Sequence, residues 1–517
     1  SDGKPFTADD FVFWFEDIYR NKDLVPTPSA TLAINGKQGV IEKVDTYTVR
    51  YKFPEPYFMM PDVLAGATDL AGQMWGYRAL GGFAPAHYLK QFLPKYAGAA
   101  ELDKKVKDAK FDSWVRLFLN RNDWAVNPDL PVLSPWKTVT PINTPTWTLE
   151  RNPYSVYVDT AGNQLPYIDK VVLTLAENLE VLNLRAIAGE YDYASRHVDL
   201  GKLPVFIENQ QKGNYKVHLD PGDYCDLIIK FNLNYDADPE IGKWFNTADF
   251  RRALSLGIDR DQINETFWLG TGTPGSVVPV DSNKYNPGPQ YRKLWSTLDI
   301  KKANEMLDKV GLAKKDAEGY RLRADGKGRL RIEIMTLGGQ FVQYTQISEM
   351  IREQWKKIGI DLKVQEVERS LALKRTAANE QQLGAWNNDG SEHLFTFPLH
   401  VFPFEIDAVA SSGPLYAKWF QSGGTQGKEP EPKMKELMEK WRKAFGVPEK
   451  ERIQLGKDVW RIAAEEVYII GVVGQGPAAM GVRVVKNNMG NIPSRQYNSP
   501  DGKTPGISRP ATFFYKN

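Results

Sequence analysis

The sequence contains few of the residues that build disulfide frameworks or metal centres. Cys225 is the only cysteine among 517 residues, which excludes an intrachain disulfide and a multi-cysteine metal cage. Five histidines offer few ligands for a zinc or iron site, and His393 and His400 stand at a spacing that fits no standard motif. We expect structural or surface roles for these two histidines, and we expect no metal and no cofactor.

An excess of one charge and long apolar runs are also missing. The sequence has 66 Lys and Arg residues against 64 Asp and Glu, and its net charge is only +2. The clustered positive field that a nucleic acid requires is therefore not indicated. No stretch approaches the roughly 20 consecutive apolar residues of a membrane span. Residues 1–5 show no basic or apolar signal region, so we expect either a cytosolic protein or a sequence that starts downstream of an export signal.

Specific catalytic motifs are absent as well. No G-x-x-x-x-G-K-[ST], H-E-x-x-H, G-x-S-x-G or C-x-x-C string occurs. A G-x-G-x-x-G string at 270–275 follows a helical pattern rather than a strand, and Pro274 removes one of the amides that a pyrophosphate needs, so we interpret it as a turn. Carboxylates are plentiful, and the separation of a glycosidase pair is a property of the fold, so a glycoside hydrolase stays open as an alternative.

Aromatic residues, by contrast, are abundant. The chain has 14 Trp, 23 Tyr and 24 Phe, together 12% of its residues. Most of them serve a core, but flat amphipathic rings also suit a protein that stacks on its ligand. Five prolines and three tryptophans alternate within residues 122–147, which excludes a long helix there and leaves a packed surface loop or the wall of a binding cleft.

Helical and strand patterns alternate along the chain, which has the length of two to four domains. A capped helix is predicted after Thr7, and a strand–helix–strand unit at 330–367 ends its helix at Gly359, which favours a mixed α/β domain. Residues 487–517 are rich in Gly, Pro, Asn and Ser and predict extended surface chain. The remaining predicted elements are strands at 40–53, 169–176, 226–234 and 467–473, and helices at 178–188, 249–268, 299–311, 431–444 and 449–466.

Four segments that follow one another along the chain carry a family pattern. They are SDGKPFTADDFVFWF at 1–15, LERNPYSVYVDTAGNQLPYIDK at 149–170, FNTADFRRALSLGIDR at 245–260, and residues 299–321 with 350–368. In this order they resemble the bacterial extracellular solute-binding proteins of the peptide/nickel/oligosaccharide importer family, family 5. The long form at 149–170 and the segment ERSLALKRTAAN at 368–379 resemble a subgroup associated with alpha-galactosides.

The resemblance implies a large α/β fold of the periplasmic-binding-protein type, a clam shell of two lobes with mixed sheets flanked by helices. Lobe I would hold residues 1–230 plus 474–517, without the N-terminal strands that the family normally has, and lobe II would hold 235–470. Two hinge crossovers would run at 231–234 and 469–473. The resemblance also implies a monomeric periplasmic or membrane-associated extracellular protein that delivers its ligand to the membrane permease of an ABC importer.

A sugar presents flat C–H faces and a ring of hydroxyls, so its site needs aromatic planes and polar side chains. Residues 384–390 (GAWNNDG) have this composition, and in the family the corresponding loop faces the cleft. We expect Trp386 to be a stacking platform. The other candidates are hydroxyl partners Asn387, Asn388 and Asp389, the cleft residue Arg369, and two further platforms, Trp75 and Trp136.

Two rival functions stay open beside oligosaccharide binding. Peptide binders of the family hold the ligand's amino terminus with an acidic residue, and Asp389 suits that role because a buried carboxylate pairs well with an ammonium group. A glycoside hydrolase would turn an oligosaccharide over, whereas a binding protein returns it unchanged. The absence of a catalytic motif favours binding over catalysis.

Overall fold

The chain folds into two compact units. The computed structural model describes residues 1–26, 29–66, 68, 70–74, 81–406, 408–500 and 502–516. The first unit comprises Ser1–Glu177, Asn488–Pro493 and Pro505–Asn517, and the second comprises Asn178–Asn487 and Ser494–Thr504. Within the described ranges, no helix combines the length and the apolar character that crossing a bilayer requires.

The first unit contains short helices and small antiparallel sheets. Thr7 caps its first helix as predicted: the Asp9 amide donates to Thr7 Oγ1 at 3.2 Å, and the Thr7 amide donates to Asp10 Oδ2 at 2.9 Å. The α-helices are Ala8–Phe13, which continues as a π-helix over Trp14–Tyr19, Met60–Ala65, Ala86–Leu89, Pro94–Ala97, Ala99–Asp108 and Trp114–Arg121. The strands pair as Ala33–Ile34 with Lys37–Gln38, Val40–Lys43 with Val49–Lys52, Met489–Gly490 with Phe514–Tyr515, and Trp136–Thr140 with Thr146–Arg151 and Lys170–Thr174.

The second unit is built on a six-stranded mixed sheet. Its strands are β1 (Cys225–Phe231), β2 (Thr273–Pro274), β3 (Arg331–Leu337), β4 (Asp361–Val367), β5 (Leu383–Trp386) and β6 (Ile469–Gly474), in the order β2-β6-β1-β5-β3-β4. Every residue of β1, β5 and β6 is buried, which fits strands covered on both faces. A second sheet has three strands in the order Tyr193–Ala194, Val482–Lys486 and Tyr215–Leu219.

Helices account for most of the remaining second unit. Two of them matter for the site: α1 (Tyr344–Lys356) connects β3 to β4, and α2 (Arg369–Ala377) connects β4 to β5. The other α-helices are Leu179–Ile187, Leu203–Glu208, Gln210–Gly213, Pro239–Asn246, Ala248–Leu256, Arg260–Trp268, Gln290–Lys293, Ile300–Leu307, Pro414–Gln421, Pro432–Lys443 and Glu449–Glu466.

Strand direction brings several loops to one edge of the large sheet. β3 runs parallel to both β4 and β5, whereas β1 runs antiparallel to β5 and to β6. The carboxyl ends of β3, β4, β5 and β6 therefore meet at the edge where β1 begins. In open α/β sheets, ligands bind outside the carboxyl ends of the strands, so this edge is the place to look for a site.

The predicted strand–helix–strand unit is confirmed as β3–α1–β4, and three other expectations are corrected. The predicted helix over 249–268 is two helices, because the chain turns at Gly257–Asp259. The Pro-rich segment 122–147 contains strand Trp136–Thr140 and the start of Thr146–Arg151 in addition to loops. Residues 487–517 were predicted to be extended surface chain, but Gln496, Asn498 and Ser499 are buried in the second unit.

Candidate functional site

Asn388 anchors the loop that follows β5 to the start of β1. Its backbone N–H donates to Cys225 O at 3.0 Å, and its side-chain Oδ1 accepts from the backbone N–H of Cys225 at 2.6 Å. Its Nδ2 donates to Val277 O at 3.3 Å. The side chain is fully buried. These bonds tie the loop after β5 to the first residue of β1, so Asn388 holds the shape of the loop, and its predicted role as a hydroxyl partner stays a prediction.

Trp386 ends β5 inside an aromatic cluster at the sheet edge. Its ring lies 5.5 Å from that of Tyr344, the first residue of α1, and 6.0 Å from that of Phe341, in the loop after β3. Only 5% of Trp386 is exposed. The structure thus places Trp386 beside two further rings that the sequence analysis missed, and its predicted role as a stacking platform stays a prediction.

Asn387 contrasts with its neighbour Asn388. It is fully buried, yet neither its Nδ2 nor its Oδ1 has a hydrogen-bond partner among the described residues. The buried Oη of Tyr344 is likewise unpartnered within the described part of the chain. Each such group costs about 1–3 kcal/mol when it is left unsatisfied, so these two buried polar groups are suited to a polar ligand.

A chain of buried charged and polar groups supports Asp389. Its Oδ1 lies 3.5 Å from His400 Nε2, and Lys230 Nζ donates to His400 Nδ1 at 3.0 Å. Lys230 also donates to the carbonyls of Leu399 at 3.3 Å and Ala410 at 3.1 Å. Burial lowers the pKa of Lys230 to about 7 and that of His400 to about 4. His400 is therefore neutral at pH 7 and accepts the lysine bond.

Asp226 is a candidate site residue that the sequence analysis missed. It is fully buried on β1, and its Oδ2 accepts from Trp268 Nε1 at 2.8 Å. Burial raises the pKa of Asp226 to about 8, and the neighbouring charge of Asp389 adds to the rise. Burial, with Asp389 and Asp226, also raises the pKa of Tyr344 well above its ordinary value. An acid inside the apolar run DLIIKF was the available signal.

Arg369 lies next to the Trp386 ring. It is the first residue of α2, it is exposed, and its Cζ lies 5.4 Å from the ring centroid of Trp386. Its Nη1 donates to Gln340 Oε1 at 3.2 Å. The structure therefore brings Arg369 together with Trp386, Asn387 and Asp389 at one edge of the sheet.

Two further residues, Trp136 and Trp75, were predicted as platforms. Trp136 lies in the three-stranded sheet of the first unit, where its Nε1 donates to Ile168 O at 2.9 Å. Trp75 lies outside the described residues. Within the described ranges, no group of three His, Cys, Asp or Glu side chains is arranged to hold a metal ion.

Comparisons with known proteins agree with the fold. Residues 1–398 match the family of bacterial extracellular solute-binding proteins, family 5 Middle. A periplasmic alpha-galactoside-binding protein of Rhizobium meliloti (strain 1021) is 25% identical over 521 residues, which cover 95% of this chain and 67% of that protein.

Two solved structures share the fold over the whole chain. An oligopeptide-binding protein, OppA, is 32% identical with a TM-score of 0.68 and is matched over 100% of this chain and 81% of its own. The periplasmic binding protein MelB of Agrobacterium fabrum C58, in complex with stachyose, is 18% identical with a TM-score of 0.73, over 99% and 73%. The chain belongs to family 5 of the bacterial extracellular solute-binding proteins.

Proposed function

We propose that this chain is the solute-binding component of an ABC importer, that it binds an oligosaccharide, and that it delivers the sugar to a membrane permease. An alpha-galactoside such as stachyose is the first candidate. The alpha-galactoside-binding relative, aligned over 95% of the chain, and the stachyose complex of MelB support this choice. The chain spans about two thirds of that relative's length.

The observation that carries the proposal is the unpartnered side-chain amide of Asn387, the residue that follows Trp386 at the carboxyl edge of the large sheet. An amide offers both a donor and an acceptor, and a sugar hydroxyl is complementary to both. The neighbouring rings supply the flat apolar surface that a sugar C–H face needs. Asp389 and protonated Asp226 add an acceptor and a donor to the same edge.

Further parts of the proposal rest on the sequence motifs. We propose the predicted lobe division, 1–230 with 474–517 as lobe I and 235–470 as lobe II, with crossovers at 231–234 and 469–473. This division differs from the compact units by assigning residues 178–230, 474–487 and 494–504 to lobe I. We also propose that the protein is a monomer, that it is periplasmic or extracellular and membrane-associated, and that it has no nucleic-acid partner.

Peptide binding is the second candidate, and the 32% identity with an oligopeptide-binding protein favours it. In that case Asp389 would hold the ligand's ammonium group, because it lies in a buried setting with His400 and Lys230 behind it. A carboxylate anchor requires a free amino terminus, so an N-acetylated peptide would lose affinity.

Catalysis is not part of the proposal. We propose that bound sugar is released unchanged, since neither the motifs nor the relatives indicate a hydrolase. Incubation of the purified protein with stachyose, followed by chromatography, checks this directly. Intact stachyose after many hours agrees with the proposal, and release of galactose contradicts it.

A thermal-shift screen followed by calorimetry tests the ligand class. Stachyose, raffinose and di- to pentapeptides are the probes, and a ligand at 100 times its Kd adds about 2.7 kcal/mol of stability. Trp386→Leu is compared with Trp441→Leu, because the two tryptophans are 5% and 6% exposed in the same unit. We expect both variants to lose stability and only Trp386→Leu to lose sugar affinity.

Trp441 is a suitable control because its contacts are with core aromatic rings and with Leu394 O, to which its Nε1 donates at 2.9 Å. Equal loss of affinity in both variants would contradict the assignment of Trp386 as a platform. A shift with peptides alone would contradict the oligosaccharide and favour the second candidate.

A further inference from the structure

Two arginines and a histidine surround the aromatic rings at the sheet edge. The Arg196 Cζ lies 5.6 Å from the ring centroid of Phe341, and the Arg369 Cζ lies 5.4 Å from that of Trp386. The His197 ring stacks on Phe341 at 4.7 Å and 23°. These five residues are named the basic aromatic cluster.

Within the described ranges, no acidic side chain pairs with the arginines of this cluster. Among the described residues, neither Arg196 nor Arg369 forms an ion pair, and the one hydrogen bond found there for Arg369 goes to the neutral side chain of Gln340. Arg375, on the same helix as Arg369, is paired in the usual way, since its Nη2 donates to Glu333 Oε1 at 3.0 Å.

The acidic residues that precede Arg369 are occupied elsewhere. The Glu368 carboxylate caps α2 and accepts from the amides of Ser370 at 2.7 Å and Leu371 at 3.3 Å. Glu366 accepts from the hydroxyl of Thr345. Glu366 and Glu368 are therefore near the cluster in the sequence, but their carboxylates bond to other groups and not to its guanidinium groups.

His197 adds a neutral group to the cluster. Burial, together with the charges of Arg196 and Arg369, lowers its pKa to about 4. Its buried Nδ1 has no hydrogen-bond partner in the described part of the chain. At pH 7 the cluster thus presents two guanidinium groups and a neutral imidazole around two aromatic rings.

We propose that the solute carries a carboxylate and that Arg196 and Arg369 bind it. This inference rests on the proposed function and adds a preference to it: an acidic oligosaccharide, one with a uronic acid residue, binds more tightly than neutral stachyose. A guanidinium group matches a carboxylate with two parallel hydrogen bonds. Phe341 and Trp386, whose ring centroids are 6.0 Å apart, lie beneath the two arginines, so one carboxylate can meet both guanidinium groups.

Calorimetry with a charged sugar and its uncharged ester tests the inference. The probes are trigalacturonate and its methyl ester, which differ only in charge and a methyl group at each carboxyl. The proteins are the wild type, Arg196→Gln, Arg369→Gln and the control Arg352→Gln. Arg352 is an exposed residue of α1 that pairs with Glu349 and Glu353 of its own helix.

We expect trigalacturonate to bind the wild type at least tenfold more tightly than its ester does. Each cluster variant should lose at least tenfold in affinity for the acid and less than twofold for the ester, and the control variant should match the wild type. Raising the salt from 50 to 500 mM should weaken binding of the acid alone, because it screens exposed charges. Equal affinities for acid and ester, or unchanged affinity in both cluster variants, would overturn the inference.

Two further probes separate this inference from the proposed function. Tight binding of neutral stachyose, unchanged in the cluster variants, would overturn the inference that the solute carries a carboxylate and would leave the proposal of oligosaccharide binding intact. Trialanine bound far more tightly than its C-terminal amide would support the carboxylate cluster and contradict the oligosaccharide. Binding of none of these probes would contradict both.

Discussion

Neighbouring residues of the same type have different environments at the sheet edge. The polar atoms of the Asn388 side chain bond to the backbone of Cys225 and Val277, whereas the amide of the adjacent Asn387 has no partner among the described residues. The motif WNND predicted polar side chains here, but their separation into anchoring and available groups depends on the pairing of β1 with β5, which no local sequence pattern reports.

We predict opposite effects for Asn387→Ala and Asn388→Ala. Asn387→Ala should leave the free protein equally stable or slightly more stable, because it removes unsatisfied buried groups, and it should weaken solute binding. Asn388→Ala should cost about 1–3 kcal/mol, because it orphans the Cys225 amide. Urea unfolding and calorimetry measure both properties. A destabilised Asn387→Ala protein with full affinity would contradict the assignment.

Asp226 should make stability fall as pH rises. Its pKa is about 8 in the folded protein and near 3.8 in the unfolded chain, so the folded state binds the extra proton between those values. Asp226→Asn keeps the shape of the side chain and removes this proton. In the wild type this proton makes the free energy of unfolding fall by at most about 1.4 kcal/mol per pH unit between pH 4 and 8, and we expect the variant to lose this contribution. Parallel curves for both proteins in urea unfolding would contradict this.

Lys230 should act in the opposite direction and in a different pH range. Burial lowers its pKa to about 7 from 10.5, so the unfolded chain binds the extra proton between these values and stability rises with pH there. Lys230→Met should remove this rise between pH 7 and 10. The free energy of unfolding measured across that range checks it, and a rise that persists in the variant would locate its origin elsewhere.

At the scale of elements, the sequence predicted those whose ends are marked by the chain itself. The helix of β3–α1–β4 was predicted to end before Gly359, and this glycine has φ +78° in the structure. The helix over 249–268 was predicted as one piece, because the apolar periodicity continues across Gly257, which has no positive φ. The strands within 122–147 were missed because their pairing partners lie at 146–174.

Gly359 gives a test at this scale. A Cβ there would lie 2.9 Å from Gly319 O, in addition to the positive φ, whereas Gly326 has φ +79° and no atom within 4 Å of its Cβ position. Gly326→Ala should cost about 1 kcal/mol and Gly359→Ala clearly more. Equal losses in thermal or urea unfolding would show that the contact with Gly319 relaxes freely.

For the whole molecule, four spaced motifs predicted the family and the fold, and both are confirmed by the match over residues 1–398. Composition misled the analysis of Ser494–Thr504. Turn-forming residues do not reveal the bonds that bury this segment. The backbone N–H of Gln496 donates to Asp220 Oδ1 at 2.7 Å, and Asn498 Nδ2 donates to Ala479 O at 2.9 Å. The proposed site combines side chains from β1, β5 and loops that are distant in sequence, so no single motif indicates the ligand.

Hydrogen exchange with and without stachyose tests the central claim, that a solute binds at the carboxyl edge of the large sheet. The account predicts that excess stachyose slows exchange in the loop 338–343, which carries Phe341, and in 387–393, while the exposed control segment 423–428 is unchanged. Unchanged exchange in both site segments, under conditions where stachyose raises the Tm of the protein, would place the ligand elsewhere and contradict the account.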